Sequence, residues 1–316
     1  MVSRASGSLC GCDDGPYALE TSKQAHLIDK TGLFGRRNLI LSGLWGVTAL
    51  ASGCEKAVAQ TPVVRTSTLS LDLRGTPQQS GLLLGKTAPY ATIDAAGIMT
   101  VAGSDGQFLI GFDRDAPSGA TIIVSSNGQS IRRVLSVAPR SYSVRTVTGL
   151  PAATINPPPQ AMARIEREAA LKARAFMSQD GSARGFTERF RWPLNTVRVT
   201  SPWGAVRRLN GALQRPHYGI DLGGSSGTPI FAPASGVVIM AEPDMHFEGG
   251  FIAIDHGQGL ISMYLHQSQL IARVGQRVVA GTQIGAIGAK GRATGPHLCW
   301  RLRWRGRHLD PSLLVI

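Results

Sequence analysis

From Phe190 to the C-terminus the chain presents one short apolar run after another, none of them repeating at helical spacing. The runs are PIFAP, GVVIMA (236–241), FIAIDHG (251–257), ISMYLH (261–266), TQIGAIG and HLCWRLRW. Each is rich in β-branched or aromatic residues and is bounded by glycine, proline or other turn formers. Runs this short suit strands, in which alternate residues turn inward. The pattern predicts an antiparallel sheet whose connecting loops carry function.

Between Thr61 and Leu150 the pattern is also β. TLSLDL (68–73), GQFLIGF (106–112), TIIVS (121–125), IRRVLSV (131–137) and YSVRTV (142–147) read as strands, with turns at Asp94–Gly97, Ser104–Gly106 and Asn127–Gly128. This spacing predicts an immunoglobulin-like β-sandwich over 61–150. It contains no histidine, cysteine or tryptophan, so an accessory role is expected. Pro157, Pro158 and Pro159 mark a boundary. Met162, Ile165, Ala169, Ala173 and Phe176 then recur near helical period and predict a helix over 157–180 that either links or braces two domains or, given the charges on its other face, is a solvated linker. The fold class is therefore mainly β: a sandwich, a linking helix and a C-terminal antiparallel β domain over 186–316.

Residues 1–60 read as a leader. Arg36 and Arg37 precede the apolar run 39–51, which has the length of a signal-peptide core. ASGC (51–54) has the form of a lipobox, making Cys54 a lipidated residue and a membrane tether; AVA before Gln60 is a competing cleavage site, disfavoured by Glu55 and Lys56. Export to the periplasm or cell envelope is expected, with the chain anchored through lipid. The four cysteines, Cys10, Cys12, Cys54 and Cys299, make neither a disulfide framework nor a CxxC pair. The net charge of +13 favours an anionic partner. No aromatic platform or nucleic-acid motif accompanies it, so anionic wall polymers are preferred to nucleic acid.

Four polar elements stand together in the last domain. RPHYGIDLGG sets His217 and Asp221 four apart with Gly219 between them, letting the backbone turn so that both converge on a metal. His266 ends the run ISMYLH. The glycine-rich loop 285–295 leads directly into His297-Leu298-Cys299. On a strand, His297 and Cys299 share a face while Leu298, Trp300 and Leu302 share the other.

The order RPHYGIDL, YLH, GRATGPHLCW and LDP (309–311) resembles the lysostaphin-like (LytM-type) zinc metalloendopeptidases that cut peptide bonds in peptidoglycan, across residues 195–312. With TSPWG (200–204), a helix and a β domain ahead of the core, the chain looks like bacterial periplasmic members of that family. The resemblance implies an antiparallel β fold, one Zn2+ ion, and His217 and Asp221 as ligands. It implies His266 and His297 as catalytic imidazoles. In the family's HxH element the second histidine is the third ligand; here that position is Cys299.

A thiolate is a good zinc ligand, and the i, i+2 spacing keeps it on the correct face. It also leaves the ligand set with two formal negative charges instead of one, making zinc a weaker Lewis acid. Three readings of Cys299 follow: a ligand in a working peptidoglycan endopeptidase, a degenerate site in a wall-binding or hydrolase-activating module, or a third ligand from elsewhere, His246 and His308 being the spare candidates. Arg301, Arg303, Arg305 and Arg307 continue the alternation of His297 and Cys299, and predict either a positive stripe beside the metal groove or a solvated strand face.

Overall fold

The computed structural model describes residues 68–147, 159–178, 180, 182–209 and 212–315; the leader, with Cys10, Cys12 and Cys54, lies outside them. The described chain is mainly β. Eight strands precede the helix: β1 (Asp72–Arg74), β2 (Leu82–Lys86), β3 (Thr92–Ala95), β4 (Met99–Val101), β5 (Gln107–Gly111), β6 (Gly119–Ser126), β7 (Gln129–Ser136) and β8 (Val144–Val147), then α1 (Pro159–Ala175). Twelve follow it: β9 (Val199–Ser201), β10 (Val206–Leu209), β11 (Ala212–Leu213), β12 (Ile220–Gly223), β13 (Pro229–Phe231), β14 (Gly236–Met245), β15 (Gly249–Asp255), β16 (Leu260–Leu270), β17 (Arg277–Val278), β18 (Gln283–Ile287), β19 (His297–Trp304) and β20 (Arg307–Leu309).

The first seven strands make two antiparallel sheets, ordered β1-β2-β5 and β4-β3-β6-β7. Asn127 (φ 48°) and Gly128 (φ 75°) both adopt the left-handed conformation and close the two-residue loop between β6 and β7. Alternate residues point inward, so Leu83, Phe108 and Ile110 of one sheet and Ile93, Ile122 and Val124 of the other enter one apolar core. The run containing β8 does not pair with either sheet. Val144–Val147 instead lies parallel to Val206–Leu209 of β10, because alternation identifies a strand without naming its partner.

In the C-terminal half the sheet runs β17-β14-β15-β16-β19-β12-β9, with β18 against β16 and β13, and β20 against β19. Its pairs are antiparallel, as the alternation predicts. The sheet has two distinct faces. On one, Leu222, Tyr264, Leu298, Trp300, Leu302 and Trp304 are buried in the core shared with the N-terminal strands, each aliphatic or aromatic side chain contributing roughly 1.5–3 kcal/mol. Arg307 extends that contact, donating to the carbonyls of Gly111 (2.7 Å) and Ala96 (2.6 Å). The other face carries Met240, Phe251, Ala253, Ile261, Met263, Leu265 and Cys299, with Ala175 and Phe176 from the end of α1 packed against them. On α1 itself, Ile165 is buried as expected, but Ala173 is exposed and Lys172 is buried in its place.

A polar chain crosses the apolar core. His256, fully buried, meets the Ser235 carbonyl through Nδ1 (2.7 Å) and Ser262 Oγ through Nε2 (2.7 Å), and Ser262 meets the Tyr264 hydroxyl (2.8 Å). Burial lowers the His256 pKa to about 4 from the usual 6.5. Between those values the unfolded chain binds a proton that the folded chain refuses, so stability is complete above pH 6.5 and falls as pH drops toward 4. The loss is about 3 kcal/mol over that window. Urea unfolding at pH 7 and pH 4.5 should show this decline, and His256→Asn should flatten it; equal slopes in both proteins would assign the acid sensitivity to other groups.

Candidate metal centre

Register brings the site together. Asp221 on β12 lies directly opposite Cys299 on β19, and His217 sits in the loop that enters β12. Two backbone hydrogen bonds to the TSPWG loop hold His217: Gly204 N to His217 O (2.8 Å) and His217 N to Ala205 O (2.9 Å). Its Nε2 lies 3.4 Å from Asp221 Oδ1 and 3.3 Å from Cys299 Sγ. Nitrogen, oxygen and sulfur donors of these three buried residues fall within 4.8 Å of one another.

Gly219 serves this cluster differently from the sequence expectation. Its backbone is not in the left-handed region. A Cβ there would meet Cys299 Sγ at 2.7 Å, Arg301 Cγ at 3.0 Å and His217 Nε2 at 3.3 Å. Glycine therefore makes room for the sulfur. Gly219→Ala should cost about 1–3 kcal/mol of stability and weaken metal retention, measured as thermal unfolding and as metal content after dialysis; an alanine variant matching the parent in both would remove this role.

The two remaining histidines flank the cluster. His297 shares the Cys299 face; its Nε2 is 3.8 Å from Asp221 Oδ1 and its Nδ1 is 2.8 Å from the Gly295 carbonyl. His266 places its ring 4.8 Å from that of His297, with Nδ1 2.9 Å from the Lys290 carbonyl. A carbonyl only accepts, so each neutral ring carries its proton on Nδ1 and presents Nε2 as its basic atom.

Period-two alternation would put His266 on the opposite face, with Tyr264 and Ser262. A bulge prevents it. Gly250 pairs with Gln267 and Ile252 with Tyr264, so Leu265 and His266 together oppose Phe251. His266 absorbs the extra residue at φ 67°, a left-handed conformation unusual outside glycine.

Burial pushes the His217 imidazole down, but Asp221 and Cys299 together outweigh it and hold its pKa above the ordinary histidine value. A fully buried carboxylate beside a thiol and an imidazole is costly without a cation. The borderline-soft donor set of one nitrogen, one oxygen and one sulfur fits Zn2+. His246 and His308 stand apart from the cluster: His246 packs edge-on to Phe247 (4.7 Å) and His308 stacks on Tyr218 (4.1 Å).

The arginines following Cys299 do not form an open stripe. Arg301 is 3% exposed beside Gly219, Arg303 stacks over Phe176 (4.4 Å), and Arg307 is spent on backbone carbonyls. Arg305 lies past the end of β19, half-buried and in the left-handed conformation (φ 44°), so the four do not make one exposed strand face. Sequence reasoning also missed Glu248, whose backbone carbonyl accepts from His266 N (2.7 Å). A lone glutamate in the EGG turn carried no signal for that contact.

Residues 215–311 match the sequence profile of Peptidase family M23. Over 123 residues the chain is 38% identical to the peptidoglycan DD-endopeptidase ShyA of Vibrio cholerae, covering 38% of this chain and 28% of that protein. Over 126 residues it is 36% identical to the DD-carboxypeptidase/endopeptidase Mpg of Neisseria meningitidis, covering 39% and 28%. The chain thus spans less than a third of the length of these relatives. The crystal structure of a peptidase M23 candidate from Pseudomonas aeruginosa aligns with a TM-score of 0.59 and 27% identity, over 76% of this chain and 96% of that one. Motif order, profile and relatives agree: residues 215–311 of this chain are a segment of the peptidase family M23 type.

Proposed function

We propose that residues 186–316 form a zinc-dependent endopeptidase that hydrolyses peptide bonds in peptidoglycan stem peptides or cross-links. The observation that carries this reading is the convergence of His217, Asp221 and Cys299 donors within 4.8 Å, with the His266 and His297 rings alongside. His217 Nε2, an Asp221 carboxylate oxygen and Cys299 Sγ would hold the ion. When bound, zinc supplies Lewis-acid polarisation of the scissile carbonyl and activation of water. The chain's own residues do the rest. Nε2 of one imidazole takes the proton of the attacking water, and Nε2 of an imidazole returns a proton to the leaving amine. The Nδ1 contacts to Lys290 O and Gly295 O keep both rings in the tautomer that this requires.

The order of strands in residues 69–147 supports an immunoglobulin-like accessory sandwich, and helix α1 supports a linking or bracing segment at 157–180. Peptidoglycan lies outside the cytoplasmic membrane, so this function requires export to the periplasm or envelope. The Arg36-Arg37 leader supports export, and Cys54 supports a lipid tether. Among the described residues no helix is long and apolar enough to cross a membrane.

A non-catalytic wall-binding or hydrolase-activating module is the second reading, favoured by the cysteine at position 299. Against it stands the retention of both imidazoles beside the cluster, which binding alone does not need. Zinc content of the purified full chain, followed by incubation with purified peptidoglycan and analysis of new muropeptide ends, separates the two. Zinc with new peptide ends is expected. Zinc without cleavage supports the module, and a chain that takes up no zinc rules out the enzyme.

A further inference from the structure

Arg164, Glu168 and Lys172 are four residues apart on α1 and share one face. All three grip the end of β14 and the turn that joins it to β15. Arg164 Nη2 reaches Asp244 Oδ2 (3.1 Å), Glu168 Oε2 accepts from His246 N (2.8 Å), and Lys172 Nζ pairs with Glu248 Oε1. The last pair is buried on both sides, with side-chain exposures of 9% and 3%. Buried pairs contribute little net stability compared with apolar residues of the same size. Its value is therefore geometric.

The gripped segment is the one that holds His266. The Glu248 carbonyl accepts from His266 N (2.7 Å), and the Phe247 carbonyl accepts from Arg292 N (2.9 Å). Gly249 packs so closely on the loop that follows β18 that a Cβ would meet Lys290 C at 2.4 Å. Lys290 is the residue whose carbonyl orients the His266 ring. The hydrogen bonds from His266 N to Glu248 O and from His266 Nδ1 to Lys290 O therefore end on this turn or on the loop seated against it. The left-handed conformation of His266 costs on the order of 1 kcal/mol or more, and it persists only where the surroundings impose it.

We infer that the Arg164–Glu168–Lys172 face of α1 is a positioning element for His266, acting through Glu248 and the β14–β15 turn. The inference rests on the reading of His266 as a catalytic imidazole. It means that residues well outside the family-matched segment 215–311 complete the site. A helix that leads into the peptidase domain thereby sets the geometry of its second histidine.

The test uses the full zinc-loaded chain with Lys172→Met, Glu248→Gln, the charge exchange Lys172→Glu/Glu248→Lys, and Arg164→Ala, whose side chain is 40% exposed and whose loss is expected to leave the fold intact. On a peptidoglycan peptide, Lys172→Met should lower kcat about tenfold with KM within about twofold. Zinc content should match the parent, because His266 is not among the three donors. Arg164→Ala should lower kcat about threefold, and the charge exchange should recover most of the loss. Unchanged kcat in folded variants, or a loss that follows zinc content, overturns the inference. If Lys172→Met does not fold, Arg164→Ala decides alone. If the parent cleaves nothing, the proposed function has failed, and the Nδ1–H proton resonance of labelled His266 still decides the positioning: it should be sharp in the parent and broadened or shifted in Arg164→Ala, and an identical resonance in both overturns it.

Discussion

Cys299→Ala is expected to abolish binding of the zinc proposed for this centre. Cys299 Sγ is the one sulfur donor in a cluster whose other members are a carboxylate and an imidazole, and it lies on the strand directly opposite Asp221. Removing a first-sphere donor should weaken zinc binding by more than the roughly 10–100-fold that follows loss of an outer partner, so a dialysed variant should be empty and inactive. Cys299→His should behave differently. It restores the imidazole that the family pattern carries at this position and reduces the formal charge of the ligand set from two negatives to one, which strengthens the Lewis acid. The larger ring must be accommodated beside Leu265 and Gly219, at a stability cost of about 1–3 kcal/mol. Faster turnover and an acid limb moved to lower pH are expected, along with loss of the sulfur-to-metal band in the cobalt-substituted protein. Full zinc retention by Cys299→Ala would place the third donor elsewhere, and an unchanged rate and pH profile in Cys299→His would remove the electrostatic account.

The second large effect concerns the imidazoles. His266→Ala and His297→Ala should each lower kcat by about 10²–10⁴-fold, the usual range for a positioned proton-transfer group, while zinc content stays at the parental level. Their rings lie 4.8 Å apart and, in the proposed mechanism, would act on the same proton inventory. The double variant should therefore lose much less than the product of the single losses. Kinetics on a defined peptide with parallel metal analysis distinguishes this from structural damage. A loss smaller than tenfold at either position, or one that tracks zinc, would exclude the role assigned here.

Much of the site was legible from residue order. HLCWRLRW reads directly as a strand, and its alternation puts His297 and Cys299 on one face, where the structure has them. The spacing of His217 and Asp221 likewise survives folding as a close pair (3.4 Å). His266 was found by motif order, and alternation alone would put it on the wrong face. Its side depends on a bulge opposite Phe251, and a single strand does not reveal the register of its neighbour.

The arginines show the same limit. Arg301, Arg303, Arg305 and Arg307 alternate as a stripe should, yet Arg301 is buried beside Gly219, Arg303 is stacked on Phe176, Arg305 lies past the strand end and Arg307 is held by distant carbonyls, the last three half-buried. Charge on α1 was misjudged in the opposite sense. A row of Arg164, Glu168 and Lys172 reads as a solvated helix face, because helix periodicity says which residues share a side and not what covers it. Only the packed β14–β15 turn makes Lys172 a buried partner of Glu248.

By itself, then, the sequence determined the β class of the chain, the positions of β13–β16, β18 and β19 and the identity of the five polar residues brought together, since these depend on local period, residue chemistry and motif order; it did not show β12, the short strand that carries Asp221. The tertiary structure alone decided the pairing of β8 with β10, the inward turn of His266 and the burial of the Lys172–Glu248 pair, since each depends on contacts between segments far apart in the chain, whose register and packing no local pattern specifies.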